Sequence, residues 1–220
     1  MLNTVFLLCN SCESDNPRIT STKSFKREIP TYPNGQLSVF YTFGKRMQRK
    51  LGLDNLENGF DSLQIRVWYD FELFETKRLL IISNKNTKWS ATVYNMQIRT
   101  DWDKRTDSII LKEEKQVTPK LGWDYFLKKL WAFKITTLPD MNEIAGYGQG
   151  GDGSNFSFEI AAKNQYRFYS YWEPGNRRFN FWQTKNIVGI LDLFKNELGV
   201  TGSPFTEEIK KKDDSLDVQF

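Results

Sequence analysis

The stretch LQIRVWYDFEL, residues 63–73, decides the fold, because an apolar side chain stands at every odd position. Glutamine, arginine, aspartate and glutamate occupy four of the five even positions, and Trp68 takes the remaining one. A period of two residues is the pattern of a β-strand that buries one of its faces. The segment therefore predicts a long, half-buried strand.

The neighbouring segments predict further strands of a sheet. Residues 78–83 (RLLIIS) are apolar on both faces, as in a central strand, and residues 37–43 (LSVFYTF) are another strand candidate. Between residues 88 and 99 the apolar positions change phase after Val93, which predicts a β-bulge. Residues 108–117 are expected to form one more strand.

Two later segments have the period of a helix. In the first, the apolar residues are spaced as on one helical face: Trp123, Phe126, Leu127, Leu130 and Trp131. The second runs from about Thr184 to Leu198, and Gly199 follows it as a C-terminal cap. We therefore expect an α+β fold: a single antiparallel-sheet-rich domain, a meander plus an aromatic hairpin, with two amphipathic helices packed on one face.

The composition divides the chain into four regions. Residues 37–200 are predicted to form the single α+β domain. Residues 1–12 are interpreted as the remnant of a lipoprotein signal peptide, and residues 13–36, with three prolines, as a polar tether. Residues 201–220 are expected to be a charged, frayed tail.

The N-terminal segment carries both cysteines of the chain. Cys12 follows Ser11 shortly after the apolar run at residues 5–8, and polar residues come next. This order is similar to bacterial lipoprotein signals of the Bacteroidetes group, which implies that Cys12 is lipid-modified. The alternatives are a Cys9-x-x-Cys12 redox motif and an unprocessed apolar N-terminus that packs against the protein.

A wider resemblance covers residues 62–198. It rests on these motifs: Leu138-Pro139-Asp140, Asp152-Gly153, Glu159-Ile160 and Asn164-x-Tyr166-Arg167-x-Tyr169-x-Tyr171-x-x-Pro174. The segment resembles uncharacterised small lipoproteins and secreted proteins of Bacteroidetes, a family of unknown function. The resemblance implies the cell envelope, periplasmic or surface-exposed, with a lipid anchor. It implies no activity and no catalytic residue.

The composition excludes several kinds of chemistry. The 220 residues include no histidine, so a histidine-based triad, a histidine general base and histidine-ligated zinc are ruled out. The motif formed by Asp101, Asp103 and Asp107 lacks the glycine and glutamate of an EF-hand, so a solvated loop is expected rather than a calcium site. We predict no metal and no cofactor. The net charge of +4 is compatible with an anionic ligand without requiring one.

The glycine-rich loop at residues 146–153 (GYGQGGDG) matches the spacing G-x-G-x-x-G. A dinucleotide-binding loop opens a helix, whereas this loop leads into the alternating residues of a strand. The loop is therefore interpreted as a connection whose glycines adopt positive φ. The alternative is a mobile loop beside a binding surface, with Gly148 and Gly151 near the ligand.

The aromatic segment at residues 166–172 (YRFYSYW) is the most unusual local feature. Exposed aromatic rings beside arginine suit a sugar ring or a protein partner. The sequence thus gives this candidate ligand-binding set: Arg167, Tyr169, Tyr171, Trp172, Gly148 and Gly151. The competing interpretation is cross-strand aromatic packing without any ligand.

These observations favour a binding role over catalysis. We expect an extracytoplasmic lipoprotein that is a non-catalytic binding module for a saccharide or an envelope protein, held to the membrane only by its N-terminal lipid. The alternative is a carboxylate-based, glycoside-type hydrolase that uses Glu159 with Asp152 or Asp140. Nucleic acid is an unlikely partner, although the basic segment at residues 45–50 could contact phosphates.

Overall fold

The computed structural model describes residues 24–201, except 33, 72–75, 102, 104, 105, 149, 151 and 152. The predicted signal-peptide remnant with Cys12, and nearly all of the predicted tail, lie outside the described residues. Gly151 and Asp152 do as well. Within the described part of the chain, no helix is both long enough and apolar enough to cross a membrane.

A seven-stranded mixed sheet forms the centre of the molecule. The strands are β1 (Lys26–Glu28), β2 (Leu63–Phe71), β3 (Thr76–Lys85), β4 (Lys88–Asp101), β5 (Thr106–Val117), β6 (Ser154–Ala162) and β7 (Gln165–Trp172). Their order across the sheet is β1-β7-β6-β2-β3-β4-β5. The strand predicted from residues 63–73 is confirmed as β2, which lies in the middle, and the coarse α+β class is confirmed.

The first strand corrects the predicted tether. Strand β1 pairs in parallel with β7, with Arg27 opposite Tyr166, whereas all other neighbours in the sheet are antiparallel. The Arg27 guanidinium also donates to the Glu57 carbonyl at 3.0 Å. The chain therefore joins the domain at least ten residues before position 37, where the sequence placed its start.

Three helices pack on the sheet, one more than expected. They are α1 (Val39–Lys50), α2 (Trp123–Ala132) and α3 (Trp182–Leu193), and a π-helical turn, Phe194–Leu198, extends α3. Both helices predicted from the sequence are thus confirmed, as α2 and α3. Gly199 ends the last turn with a φ of 68°, as its predicted role as a cap requires.

The prediction of a strand at residues 37–43 was wrong, because these residues enter helix α1. The buried positions of α1 have helical spacing: Phe40, Tyr41, Gly44, Met47 and Gln48. Only the first two of them fall inside the segment that was interpreted as a strand. Arg49 and Lys50 lie in the last turn, where cations complement the helix dipole.

The helices cover opposite faces of the sheet. Helices α2 and α3 pack on the face that carries Ile65, Val67 and Tyr69, which we call the α2–α3 face. Helix α1 packs on the other, the α1 face: a Cβ at Gly44 would lie 3.6 Å from both Trp68 and Phe168. The two layers of helices explain why the central strands are apolar on both sides.

This arrangement also corrects the predicted bulge after Val93. The pairing of β3 with β4 is regular there. The apolar residues change phase because Ala91 and Val93 face the α2–α3 side, whereas Met96 and Ile98 join the cluster beneath α1. The register shift lies instead between Gln97 and Ile98, where β5 has one extra residue.

Alanine substitutions at two helical glycines are expected to change the free energy of unfolding in opposite directions. A Cβ at Gly189 of α3 would overlap the ring of Phe133, whereas a Cβ at Gly44 of α1 meets its neighbours at ordinary contact distance. We expect Gly189→Ala to lower the free energy of unfolding by about 1–3 kcal/mol through overpacking. Gly44→Ala should raise it by about 0.5–1 kcal/mol through helix propensity. Urea unfolding of both variants checks this, and equal changes of the same sign would contradict the helix contacts.

Candidate functional site

The predicted aromatic binding face is buried. Tyr169 and Tyr171 are 1% and 0% exposed, and their hydroxyls donate to the backbone carbonyls of Ile135 (2.6 Å) and Pro139 (2.7 Å). Burial raises the pKa of both phenols above their ordinary value. The expectation of exposed rings was therefore wrong, because the segment after α2 covers this part of the α2–α3 face.

Arg167 anchors the same covering segment. Its guanidinium pairs with Glu28 of β1 and donates to the carbonyls of Thr136 and, at 3.0 Å, Leu138. Each of these contacts ties β7 to a neighbouring segment. Arg167 thus fastens the end of β1 and the chain after α2 to the sheet, and it also lines, with Tyr169 and Asp140, a cleft of about 460 Å³.

Trp172 lies beneath the glycine-rich loop. A Cβ at Gly150 would lie 2.5 Å from the indole ring, so glycine is required for the close approach of the loop. Arg178 packs on the indole at 4.8 Å. Gly148 is exposed and has no neighbour within 4 Å of its Cβ position. The loop therefore covers Trp172, which is only 5% exposed.

Glu159 belongs to a buried ion network between α1 and the sheet. Its carboxylate accepts from Lys45 Nζ at 2.6 Å and from the Tyr166 hydroxyl at 2.9 Å, and it lies 3.6 Å from Arg66 NH1. The side chains of Glu159 and Arg66 are each 2% exposed. Lys45 also reaches Glu57 at 3.4 Å. The network joins α1, β2, β6 and β7 by charge.

The pKa shifts in this network have clear causes. Burial raises the pKa of Tyr166 far above its ordinary value, and the adjacent Glu159 carboxylate raises it further. Burial also lowers the pKa of Arg66, while Glu159 partly offsets that change. The Glu159 carboxylate is therefore the shared partner of two cations and a phenol, which is a structural role in the packing of α1 on the sheet.

Asp140, the second carboxylate of the hydrolase alternative, has different neighbours from Glu159. Asp140 lies at the edge of β7, where it accepts from the backbone N–H groups of Asn142 (3.0 Å) and Ser170 (2.9 Å). Burial raises its pKa, and these hydrogen bonds partly counter that shift. Asp140 lines a cleft of about 460 Å³ beside β1, and Glu159 does not line that cleft. The third carboxylate of this alternative, Asp152, is not among the described residues.

The basic segment of α1 is largely paired within the protein. Lys45 belongs to the ion network, and Arg46 binds Asp107 at 2.6 Å. Asp107 also accepts from the Thr100 hydroxyl at 2.9 Å. Of the predicted phosphate contacts in residues 45–50, the structure leaves Arg49 and Lys50 exposed. Asp107, part of the predicted solvated loop, is buried against α1.

A groove lies at the opposite end of the sheet from Trp172. It has a volume of about 620 Å³ and lies between the loop at residues 54–62 and the turn that joins β3 to β4. Gly59 has a φ of 95°, and a Cβ there would lie 2.9 Å from the Ala162 carbonyl oxygen. Glycine therefore lets this loop approach the end of β6 and form one wall of the groove.

The groove is lined mainly by amides and charged groups. The polar side chains in its wall are Asp54, Asn55, Asn58, Asp61, Ser62, Asn84, Lys85, Asn86, Thr87 and Lys163. Asn84 Oδ1 is buried and accepts no hydrogen bond from the described residues. Leu56, Gly59 and Phe60 complete the lining. A lining of this kind suits a hydroxyl-rich ligand better than an apolar one.

Three tryptophans form a cluster between β4 and α2. Trp89 stands directly opposite Asn84 in the ladder between β3 and β4, so their side chains are neighbours on the α2–α3 face. Trp89 stacks with Trp123 of α2 at a centroid distance of 6.0 Å and lies 6.3 Å from Trp131. None of the three tryptophans is among the residues that line the groove, and the aromatic residue in that lining is Phe60.

Sequence reasoning missed this site. None of the residues that line the groove was among the predicted binding residues. The fold brings three separate chain segments together here, and their spacing along the sequence carries no signal of that. No family model, curated protein or solved structure matches the chain.

Proposed function

We propose that this protein is a non-catalytic saccharide-binding module of the cell envelope, and that the groove between residues 54–62 and the β3–β4 turn is its binding site. The observation that carries the proposal is the lining of this groove. The lining combines the side-chain amides of Asn55, Asn58, Asn84 and Asn86 with the aromatic ring of Phe60.

The chemistry of a sugar ring matches the amide and aromatic groups that line the groove. Its hydroxyls need donors and acceptors in close alternation, and an asparagine amide offers two donors and one carbonyl acceptor. The C–H face of the ring packs on an aromatic side chain. Asn84 Oδ1 is a buried acceptor that lacks a donor, and such a group is costly unless a bond is made. A sugar hydroxyl in the groove would supply that donor.

A protein partner is the weaker choice for this groove. Protein interfaces depend on a desolvated core of aromatic and apolar anchors and are depleted in lysine and acidic residues at that core. Asp54, Asp61, Lys85 and Lys163 all line the groove. The proposed ligand is therefore a saccharide.

Binding should depend on the aromatic residue of the groove lining, Phe60. We expect Phe60→Ala to weaken saccharide binding about five- to ten-fold, because packing a sugar ring on an aromatic side chain contributes about 1 kcal/mol. The probe is the oligosaccharide with the strongest signal on a glycan array, measured by isothermal titration. Trp182→Ala is the matched control, since Trp182 is 51% exposed and lies at Lys134 instead of the groove. Equal affinities of the two variants would contradict the proposed site.

The second part of the proposal is the location of the protein at the cell envelope. Cys12 after Ser11, and the resemblance to lipoproteins of Bacteroidetes, support a lipid anchor that holds the module at the cell envelope. We expect labelled palmitate to be incorporated into the wild-type chain in its native host and to be lost in Cys12→Ser. Cys9→Ser is the matched control and should remain labelled. Label that persists in Cys12→Ser would contradict the anchor.

A further inference from the structure

The turn between β3 and β4 departs from the usual chemistry of a tight hairpin. Asn86 and Thr87 have φ values of 52° and 64°, the two positive angles of a type I′ turn. Glycine is usual at the second position, whereas threonine is β-branched and poorly suited to positive φ. The turn lines the groove on one side. The turn at the proposed binding site thus has a residue that is unfavourable for its backbone conformation.

The residues that flank this turn are also unfavourable, because they place like charges opposite each other. Lys85 and Lys88 stand directly opposite each other in the ladder, and both are exposed. Like charges at directly opposed positions destabilise a pair of strands. Lys163, at the turn between β6 and β7, adds a third cation to the groove. Charges that oppose folding and surround one cavity are expected where a ligand of opposite charge binds.

Two aspartates partly offset this charge. Asp54 and Asp61 are both exposed and line the groove with Lys85 and Lys163. Asp54 also interacts electrostatically with the buried Arg66. Lys88, which stands opposite Lys85 at the turn, adds a further positive charge on that side of the groove.

We propose that the saccharide bound in the groove is acidic, and that its charged group is held by Lys85, Lys88 and Lys163. This inference rests on the proposed saccharide-binding function and narrows its ligand class. The shared chemistry is a negatively charged substituent on a sugar ring, carboxylate or sulfate. Both accept hydrogen bonds from an ammonium group, and a compact point charge such as lysine suits either one.

The experiment compares charged saccharides with their neutral forms on the full chain. One pair is oligogalacturonate and its methyl ester, and the other is a heparin oligosaccharide and its desulfated form. At low ionic strength we expect at least one charged form to bind about five-fold or more tightly than its neutral form. The preference should shrink as salt is added. The pair that shows it identifies the substituent as carboxylate or sulfate.

A charge reversal separates this inference from a stability effect. Lys85→Glu turns the opposed lysines into an oppositely charged pair, so it should raise the Tm by about 1–3 °C while abolishing the preference for the charged form. Lys112→Glu makes the same change in net charge on β5, away from the groove, and should keep the preference. A preference that survives Lys85→Glu would overturn the role of the turn.

The two proposals fail in different ways. Equal binding of charged and neutral forms would overturn the acidic ligand and leave the saccharide-binding function in place. No binding of either pair, together with a glycan array that shows no signal, would overturn both. Binding of a charged form that Phe60→Ala leaves intact would place the anion site outside the proposed groove.

Discussion

Replacing Glu159 with alanine should lower the free energy of unfolding by about 3–5 kcal/mol, one of the two largest effects expected in this protein. The variant removes the carboxylate that Lys45 and Arg66 share, and Arg66 is almost wholly buried. A buried cation without its counterion keeps its desolvation penalty and loses the compensating attraction. Urea unfolding followed by circular dichroism measures the change.

A matched variant and a double-mutant cycle make this prediction specific. Glu113→Ala removes an exposed glutamate of β5 and should change the free energy of unfolding by no more than about 0.5 kcal/mol. Adding Lys45→Met to Glu159→Ala should recover part of the loss, because it removes one of the two uncompensated charges. A Glu159→Ala variant as stable as Glu113→Ala would contradict the buried network.

Replacing Tyr169 with alanine is the second large effect, with an expected loss of about 3–5 kcal/mol. The ring is 1% exposed and stacks on Phe158 at a centroid distance of 4.9 Å. Its hydroxyl donates to the Ile135 carbonyl. Alanine leaves a cavity in the main core, together with a buried carbonyl that has lost this donor. Thermal and urea unfolding both report the loss.

Two further tyrosine variants divide this effect into its parts. Tyr169→Phe keeps the ring and should cost only about 1–2 kcal/mol, the price of one buried hydrogen bond. Tyr125→Ala, at a tyrosine that is 40% exposed on α2, should stay within about 0.5–1 kcal/mol of the wild type. If Tyr169→Ala weakened saccharide binding without lowering stability, the ring would be a ligand contact and its burial in the core would be refuted.

Much of the fold follows from residue periodicity. The period of two in residues 63–71 and the helical spacing from Trp123 to Leu130 are local signals, and both elements form where they were predicted. Helix α1 was missed because its first residues, Val39 to Phe43, are β-branched or aromatic and resemble a strand. Its helical pattern emerges only when Gly44, Met47 and Gln48 are included.

The aromatic segment shows why the predicted site was misplaced. Alternation assigns Arg167, Tyr169 and Tyr171 correctly to one face of β7, but it cannot show what covers that face. The covering segment, residues 133–140, is irregular and lies thirty residues earlier in the chain. Burial on this face depends on a long-range contact, so it could not be read from local spacing.

The groove could not be predicted from local spacing either. Its walls come from the loop at residues 54–62, the turn at 84–87 and the turn at Lys163, and none of these segments carries a motif. The close approach of Gly59 to the Ala162 carbonyl brings the first of these segments to the end of the sheet where the two turns lie. The opposition of Lys85 and Lys88 became apparent only from the register of β3 with β4.

Amide hydrogen exchange, measured with and without the oligosaccharide selected on a glycan array, tests directly whether the groove binds saccharide. We expect slower exchange in residues 54–62 and 84–89 when the saccharide is bound. Segments around Tyr169 and Trp172 should exchange at unchanged rates. Protection confined to residues 146–153 and 166–172, with none at the groove, would contradict the proposed site.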